Sequence, residues 1–348
     1  MAGRVGIREV AARANVSVGT VSHVLNRPEL VSSATLERVL ATMDELGFVR
    51  NDLARQLKMG GGTTLGMIVL NVANPFFADL AHACESAAEA NGHTIILGSS
   101  DQLGRREDRY IELFEEQRVS GMIIAPLAGE TARIQHVIRR GMPVVLFDIH
   151  AVDGDFCSLA LDGDAGGYLA VRHLLDTGRR RIAFVGGPLH QVEDRWNGAL
   201  RATAEVKGAT LTHIDTEDQT IADGRAVGDV LATKGPRSRP DGVFAANDLL
   251  ALGLMQSLLI ADGIEVPRDV AIVGYDDIAY AASAAVPLTT VRQPKEALAA
   301  EAVRLVLDHV ANGGGHVHEH SLLPPELIVR ASTGGRPARS PRRGARAR

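Results

Sequence analysis

The sequence has only two cysteines in 348 residues, no long apolar run and no export signal. Cys84 and Cys157 both lie in apolar segments, so we expect buried reduced thiols and no disulfide framework. No run of about 18 apolar residues is present to cross a bilayer, and residues 1–6 lack the charged-then-apolar profile of a signal peptide. Because 45% of the residues are hydrophobic, we expect a cytoplasmic globular protein of two or three domains without membrane contact.

Signs of catalytic chemistry are also scarce. Asp248, Asp276 and Asp277 could act as acid–base groups, but no nucleophile, metal-ligand set or cofactor loop accompanies them. The glycines at 186–187 lack the complete fingerprint of a dinucleotide-binding loop. An enzyme is one alternative for this chain, but the pattern favours a protein without catalytic activity or cofactor.

Three histidines near the C-terminus alternate, as metal ligands on one face of a strand could: His316, His318 and His320. They follow three glycines, 313–315, in a stretch that is typical of a surface crossover. We therefore expect no bound metal.

Charge is distributed unevenly along the chain, whose net charge is −5. Residues 1–60 carry eight basic and six acidic side chains, and residues 336–348 carry six arginines and no acid. The acidic excess therefore lies in the body between them, an asymmetry that fits DNA-binding ends. We expect 336–348 to be a disordered basic tail, which either adds non-specific DNA affinity or only solubilises the chain.

Residues 7–26, IREVAARANVSVGTVSHVLN, predict two short helices joined by a tight turn. Asn15 can adopt the left-handed conformation that ends the first helix, and Ser17 can cap the second. Val21, Val24 and Leu25 fall on one side of the second helix, and small or hydrogen-bonding residues fall on the other. The latter are Gly19, Ser22, His23 and Asn26. Such a face suits the DNA major groove; the alternative is a plain helical hairpin at the edge of a larger domain.

A third helix is predicted after Pro28 and ends at Gly47. Residues 51–58 form a fourth, short amphipathic segment with Asn51 as its cap, and the glycines at 60–62 provide a flexible joint. The segment 51–64 is therefore interpreted as a hinge helix and linker, which is marginally stable until it packs on a partner or on DNA.

From residue 65 onward, short apolar runs alternate with helical runs. The predicted strands are 65–71, 93–99, 121–126, 142–148, 181–186, 241–246 and 269–275. Apolar strands separated by helices predict parallel sheets that are covered on both faces. We therefore predict a small all-α helix-turn-helix head followed by an α/β body of two doubly wound parallel-sheet subdomains with a cleft between them.

In such sheets ligands bind outside the carboxyl ends of the strands, and polar and aromatic residues concentrate there. They are Phe76, Phe77, Asp101, Asp148, Arg195, Trp196, Asn247, Asp248, Tyr275, Asp276 and Asp277. Stacking and forked hydrogen bonds suit a polyhydroxylated ligand. For each carboxylate the alternative is a helix cap or a first-turn charge, but the turn that holds Arg195 has no structural need for a guanidinium.

The chain to about residue 335 resembles the LacI/GalR family of bacterial transcriptional regulators. The motifs VAARANVSVGTVSHVLN, NPFF, DRWNG, AANDLLALG, VGYDDI, LTTVRQP and LIVRAST stand in family order. The resemblance implies a cytoplasmic homodimer that binds a near-palindromic double-stranded DNA operator, and a body that resembles a periplasmic sugar-binding protein.

The same resemblance implies which residues bind DNA. They are Arg8, Ser17, Val18, Gly19, Thr20, Ser22, His23, Asn26, Asn51, Ala54, Leu57 and Lys58. Leu57 is expected to wedge open a base step in the minor groove, with packing of the hinge onto the head as the alternative. Lys58 is expected near phosphate. His23 stands where the family usually has arginine, so the base contact there is expected to differ.

For the small-molecule effector, the resemblance implicates Phe76, Phe77, Asp101, Asp148, Arg195, Asn247 and Asp276. Family members often have an aromatic residue where this chain has Gln219, so Trp196 or Phe76 is a candidate for the missing stacking surface. We expect a sugar or sugar derivative as effector. A nucleoside or purine is the alternative for the ligand, and a solute-binding transport protein is the alternative for the whole chain.

The predicted boundaries follow from these patterns. Residues 1–50 are the helix-turn-helix domain, 51–64 the hinge, 65–335 the effector-binding and dimerisation domain, and 336–348 the tail. Within the body, the first subdomain is predicted to comprise 65–162 and 292–320, and the second 163–291 and 321–335. The tail contains no leucine heptad, so we do not expect a tetramer built by a coiled coil.

Overall fold

The structure, a computed structural model, describes residues 5–48, 62–127, 132–148 and 154–334. Contacts divide the chain into two compact units, Met1–Gly62 and Thr63–Arg348, which we call the head and the body. Four predicted DNA-binding residues and the arginine-rich tail, 336–348, lie outside the described residues. The four are Asn51, Ala54, Leu57 and Lys58.

In the described part of the head, three helices surround a small core. They are α1 (Ile7–Arg13), α2 (Val18–Asn26) and α3 (Ser33–Glu45), with a 3₁₀ turn at Pro28–Leu30. Asn15 ends α1 in the left-handed conformation, with a φ of 53°. Ser17 caps α2, because its Oγ accepts a hydrogen bond of 3.0 Å from the backbone nitrogen of Thr20. Each helix places one fully buried valine in the core: Val10, Val21 and Val39.

The body alternates strands and helices. Its strands are β1 (Thr64–Val69), β2 (Thr94–Ser99), β3 (Gly121–Ile124), β4 (Val144–Phe147), β5 (Cys157–Leu161), β6 (Arg181–Val185), β7 (Thr210–Ile214), β8 (Gly242–Ala245), β9 (Ala271–Asp276), β10 (Thr289–Arg292), β11 (His320–Leu323) and β12 (Glu326–Ile328). Its α-helices are α4 (Pro75–Ala90), α5 (Gly104–Gln117), α6 (Ala132–Arg139), α7 (Gly163–Asp176), α8 (Glu193–Ala204), α9 (Ile221–Thr233), α10 (Asp248–Ile260), α11 (Ala279–Ser283) and α12 (Lys295–Asn312). None of the helices within the described residues is both long and apolar enough to cross a bilayer.

These strands form two six-stranded sheets. The first sheet has the order β11-β5-β4-β3-β1-β2, and the second has the order β12-β10-β9-β8-β6-β7. Every pairing is parallel except that of β10 with β12. The central strands β3, β4, β8 and β9 are buried along their whole length, as expected for strands covered by helices on both faces. The predicted fold, with two doubly wound subdomains, is confirmed.

Five strands were not among those predicted from apolar runs: β5, β7, β10, β11 and β12. Their sequences are short or mix polar with apolar residues, so their pairing partners decide their structure. One predicted boundary is also corrected. β11 pairs with β5 in the first sheet, so residues 321–323 belong to the first subdomain and not to the second.

The expected surface position of the histidines at 316–320 is corrected as well. The side chain of His316 is only 1% exposed, and its Nε2 lies 3.1 Å from Sγ of Cys157. His320 begins β11, where its ring contacts Oγ of Ser158 at 2.8 Å. The crossover after α12 therefore packs against β5 and does not lie loosely on the surface.

Candidate functional site

The exposed face of α2 carries the residues predicted to touch DNA. Val18 is 44% exposed, and Gly19 and His23 are also exposed, while Val21 and Val24 on the other side are buried. Arg8, on α1, is exposed as well. The face therefore offers an imidazole, a small apolar group and bare backbone to a partner.

Other side chains of this face make hydrogen bonds within the helix. The Asn26 amide donates to the backbone oxygen of Ser22 at 2.9 Å, and the hydroxyls of Ser17 and Thr20 lie 2.9 Å apart. In this arrangement Ser17 and Thr20 stabilise the start of α2. Any base contact from them requires exchange of these local bonds.

The cleft, the region between the carboxyl ends of the strands of the two sheets, has Arg195 on one wall. This residue lies on α8, and its Nη1 donates to the backbone oxygen of Ala246 at 2.5 Å. Its guanidinium carbon lies 3.9 Å from the centre of the Tyr275 ring. A guanidinium stacked on an aromatic face and bonded at one edge is held in a defined orientation.

Two adjacent glycines of α7 make room for this stack. A β-carbon on Gly166 would lie 2.8 Å from the Tyr275 ring, and one on Gly167 would lie 1.9 Å from the backbone oxygen of Arg195. Helix α7 can approach α8 this closely because Gly167 lacks a side chain, and it can approach Tyr275 on β9 because Gly166 lacks one. The glycine pair therefore positions Arg195 and Tyr275.

Asp276 ends β9 and is 3% exposed. Its Oδ1 accepts a hydrogen bond of 2.6 Å from Nε2 of Gln293, and the side chain of Asn74, from the first subdomain, lies close enough to lower its pKa. Burial raises the pKa of Asp276 to about 6, against the opposing effects of Arg195 and of the two amides. Its charge therefore changes close to neutral pH.

Asp148 follows β4 with a left-handed backbone, φ 61°, and keeps contact with solvent. Desolvation by the surrounding protein raises its pKa, and the positive charge of Arg195 opposes that rise. Arg195 is thus coupled electrostatically to carboxylates from both subdomains, Asp148 and Asp276.

Two half-buried aromatic side chains, Phe77 and Trp196, are the stacking surfaces that this region offers. Trp196 packs at 5.6 Å from Phe184 and 5.4 Å from His213, measured between ring centres. Phe76 is only 4% exposed and belongs to the body core, where it meets Phe77 edge-to-face at 5.2 Å. Phe76 therefore supports Phe77, and its own contact with a ligand stays a prediction.

Two further predicted effector residues have structural partners. The side chain of Asn247, 3% exposed, caps α10 by accepting from the backbone of Leu250 at 2.8 Å and donates to the backbone oxygen of Gln219 at 3.0 Å. Asp101 is exposed and pairs with Arg106 at 3.0 Å. Asn247 thus has the capping role that the sequence analysis considered only for carboxylates, and Asp101 has an ion pair.

The carboxylates considered as acid–base groups of an enzyme are likewise engaged. Asp248 is fully buried and accepts hydrogen bonds from the backbone of Ile278 at 2.9 Å and from Oγ1 of Thr290 at 2.6 Å. Asp277 forms ion pairs with Arg292 and Arg330, each at 2.7 Å. Both groups tie together the loops that carry Asp276.

Sequence reasoning missed the contacts that bridge the cleft. The Gln191 amide donates to the side-chain oxygen of Gln102 at 3.0 Å, and Asn74 reaches Asp276. Asn74 follows the first predicted strand, at the edge of the sheet where ligands are expected, and it caps α4. Gln102 and Gln191 lie two residues before α5 and α8, where the sequence has no comparable signal. Together they join the two subdomains around Arg195.

Comparison with known proteins matches both units. Residues 6–51 match the family of bacterial regulatory proteins, lacI family, and residues 171–333 match the periplasmic binding protein-like domain. The HTH-type transcriptional repressor PurR of Erwinia tasmaniensis is 33% identical over 349 residues, which cover 97% of this chain and 99% of that protein.

Solved structures are similar over nearly the whole chain. The lac repressor dimer bound to operator and the anti-inducer ONPF has a TM-score of 0.79 and 27% identity, with 95% of this chain and 99% of that chain covered. The complex of the transcriptional regulator CelR with cellobiose has a TM-score of 0.67 and 30% identity, with 94% and 100% covered.

Proposed function

Because this chain belongs to the lacI family of bacterial regulatory proteins, we propose that it represses transcription as a homodimer on a palindromic operator, under the control of a neutral, sugar-like molecule bound in the cleft. Family membership makes the chain a DNA-binding transcriptional repressor and not an enzyme. The symmetry of the operator, the dimer and the class of ligand are the proposed parts.

The observation that carries the ligand proposal is the position of Arg195 between two carboxylates. Its guanidinium stacks on Tyr275 and couples to Asp148 and Asp276. Guanidinium donors and carboxylate acceptors together can form forked hydrogen bonds to neighbouring hydroxyl groups. Phe77 and Trp196 offer apolar ring faces beside them, which suits the C–H face of a sugar.

The charge of the cleft restricts the ligand further. One guanidinium faces Asp148 and Asp276, so carboxylates outnumber cations around it. An anionic ligand such as a sugar phosphate would meet repulsion there, since like charges cost more as water is excluded. We therefore propose a ligand without net negative charge.

A purine is the second candidate, and the relatives favour it. Proteins named PurR match over almost their whole length, and a planar base could lie against Phe77 or Trp196. The CelR relative, solved with cellobiose, favours the sugar. Gln219 stands where many family members have an aromatic residue. One flat surface on which a base would stack is therefore absent from this chain.

Exposed apolar residues on the edge strand β2 support the dimer. Ile96 and Leu97 are 40% and 41% exposed, and β2 is the last strand of the first sheet. A bare edge with apolar side chains is an unfavourable surface for an isolated chain. We propose that a second copy covers it.

Effector control would act through the contacts that bridge the cleft. The pairs Gln102–Gln191 and Asn74–Asp276 join the subdomains in the described arrangement. A ligand between the walls changes DNA affinity only to the extent that it binds one arrangement more tightly than another. If the ligand replaces these amide contacts with its own, it binds the two arrangements with different affinity.

The test combines an operator selected in vitro from random DNA with a panel of ligands. We would measure thermal unfolding and operator binding of the full chain with glucose, cellobiose, glucose 6-phosphate, adenine, guanine and their nucleosides. A neutral sugar should raise the melting temperature and shift operator affinity, whereas the phosphate should not. If only purines raise the melting temperature and shift operator affinity, the effector is a purine and not a sugar. Failure to select any operator would overturn the DNA-binding proposal.

A further inference from the structure

A cluster of histidines and one cysteine lies at the edge of the first sheet, away from the cleft. Four of the twelve histidines of the chain fall within residues 309–320. Cys157 is the first residue of β5, which β11 borders on the outer side. Because the strands are parallel, Cys157 lies at the amino edge of the sheet, and the cleft lies at the opposite, carboxyl edge.

Three ligand atoms of this cluster converge. Sγ of Cys157 lies 3.1 Å from Nε2 of His316 and 3.8 Å from Nδ1 of His318, and all three atoms lie within 4.8 Å of one another. Among the described residues, no other three histidine, cysteine or carboxylate ligands are grouped this closely.

These separations match a tetrahedral metal site. Zinc bonds to sulfur at about 2.3 Å and to imidazole nitrogen at about 2.0–2.1 Å, so ligand atoms around one ion stand about 3.3–3.6 Å apart. The two observed sulfur–nitrogen distances fall on either side of that range. Shifts of a few tenths of an ångström would bring both sulfur–nitrogen distances into it, and the two nitrogens lie within 4.8 Å of each other.

His316 is held in the orientation that such a site needs. Its Nδ1 contacts Oδ2 of Asp308 at 2.6 Å, and its side chain is 1% exposed. This contact directs the other nitrogen, Nε2, at Cys157. A carboxylate that bonds to the distal nitrogen of a histidine is the usual support of a metal-binding imidazole, because it fixes both the tautomer and the ring.

His309 supplies a separate observation. Its ring stacks on His316, with centres 4.6 Å apart and planes 7° from parallel, and stands edge-on to His318 at 5.3 Å. Its Nδ1 is buried and has no hydrogen-bond partner among the described residues. Since buried polar atoms are almost always paired, an unpaired nitrogen beside three converging ligand atoms points to a bound group.

We propose that Cys157, His316 and His318 bind one zinc ion, with Asp308 as the residue that positions His316. One thiolate and two imidazoles are ligands that suit zinc, and a water molecule would complete the tetrahedron. The ion would fasten the crossover after α12 to β5. The site is independent of the effector and of the cleft.

Cobalt is the probe that tests the ligands directly. The full chain, without a polyhistidine tag and freed of metal by a chelator, is titrated with Co²⁺ while the visible and near-ultraviolet spectrum is recorded. We expect one Co²⁺ per chain, with a thiolate-to-cobalt charge-transfer band and intense visible bands of tetrahedral cobalt, and displacement of both by Zn²⁺.

Matched variants assign the site. Cys157→Ser should abolish the charge-transfer band, His318→Ala should weaken Zn²⁺ binding at least 100-fold, and Asp308→Asn should weaken it by about 10–100-fold. The controls are Cys84→Ala, which removes the other buried thiol, and His82→Ala, which removes an exposed histidine on α4. Both should bind as the unsubstituted chain does.

Two results would overturn the proposal. One is a cobalt complex without a charge-transfer band; the other is unchanged Zn²⁺ affinity in both Cys157→Ser and His318→Ala. Far-ultraviolet circular dichroism confirms that each variant is folded. Zn²⁺ should raise the melting temperature of the unsubstituted chain and of the two controls, but not that of His318→Ala, so the outcome is decided even if Cys157→Ser does not fold.

Discussion

Asn74 and Asp276 meet across the cleft, joining the helix that follows β1 to the end of β9. The amide oxygen of Asn74 accepts a hydrogen bond of 3.1 Å from the backbone of Phe76 and so caps α4. Its amide nitrogen is then the group that can donate to the carboxylate of Asp276. Helix capping and the approach of the two subdomains thus involve one side chain, that of Asn74.

Asp276→Asn should make the stability of the body less dependent on pH. The folded pKa of Asp276 is about 6, above the unfolded value of about 3.9. A raised pKa means that the group's contribution to stability is present below pH 4 and is lost as the pH rises through 6. The variant stays neutral and keeps an oxygen that can accept from Gln293.

Urea unfolding of both chains between pH 4 and pH 8 measures this effect. The free energy of unfolding of Asp276→Asn minus that of the unsubstituted chain should increase with pH, by up to about 3 kcal/mol above pH 6. Other groups that titrate in both chains cancel in the difference. A difference that stays constant from pH 4 to pH 8 would show that the pKa of Asp276 is not raised.

Arg195→Ala should weaken effector binding while operator affinity in the absence of effector changes little. The substitution removes the guanidinium stacked on Tyr275 and the donors beside Asp148 and Asp276, and hydrogen bonds to charged groups contribute roughly 1.5–3 kcal/mol each. We therefore expect effector affinity to fall at least 10-fold in calorimetry with the ligand found in the screen. The operator affinity, from fluorescence anisotropy, should stay within about 3-fold.

Arg201→Ala is the matched control, because Arg201 lies on the same helix and also stacks on a tyrosine. Its guanidinium carbon lies 4.4 Å from the ring centre of Tyr168, but this pair is outside the cleft and Arg201 bonds to Asp164. Its substitution should leave the effector response unchanged. An equal loss of effector affinity in both variants would show that Arg195 does not belong to the effector site.

Gly167→Ala should destabilise the body and weaken the effector site together. The added β-carbon would meet the backbone oxygen of Arg195 at 1.9 Å, and backbone atoms cannot turn away as a side chain can, so α7 and α8 must separate. We expect a loss of roughly 1–3 kcal/mol in urea unfolding and reduced effector affinity. Gly104→Ala, which would have no atom within 4 Å, should change neither.

The sequence was sufficient to predict the central part of the fold, because strands such as β3, β8 and β9 are continuous apolar runs that leave few other structures open to them. It was insufficient for edge strands. β7 and β10 each contain two threonines, and only pairing with a neighbour makes them strands. Pairing depends on residues far away in the chain, which local patterns do not report.

The same limit applies to the site. Arg195 stood out in the sequence because its turn needs no guanidinium, and the structure places it in the cleft. Asn247 could not be distinguished from a ligand-binding amide, because its role as a cap depends on which backbone groups lie within reach. His316 follows glycines that indicate a surface position. Its side chain is nevertheless buried, because it contacts Cys157, a residue 159 positions away in the chain.

Leu97→Glu should convert the proposed dimer into a monomer. Leu97 lies on the edge strand β2 and is 41% exposed, so a charge there costs the isolated chain little but would be buried without a partner in the dimer. Size-exclusion chromatography with light scattering measures the mass, and operator affinity should fall at least 10-fold with it. Val329→Glu, at a residue 56% exposed in the second subdomain, is the control; an unchanged mass for Leu97→Glu would exclude β2 from the interface.

His23→Ala and Arg8→Ala should weaken operator binding in different ways. His23 is exposed on the face of α2 that we propose to enter the major groove, and a base contact contributes roughly 1–3 kcal/mol of discrimination. Its loss should relax preference at particular base pairs without changing the salt dependence.

Arg8 lies on α1 and is exposed. We expect its guanidinium to contact phosphate, which carries no sequence information. Its loss should weaken binding to all sequences alike and reduce the slope of log affinity against log salt by about 1. Binding to the selected operator and to its single-base variants, measured across a salt series, separates the two effects. Because the two readouts are independent, a salt slope altered by His23→Ala, or a base preference altered by Arg8→Ala, would assign that residue the opposite role.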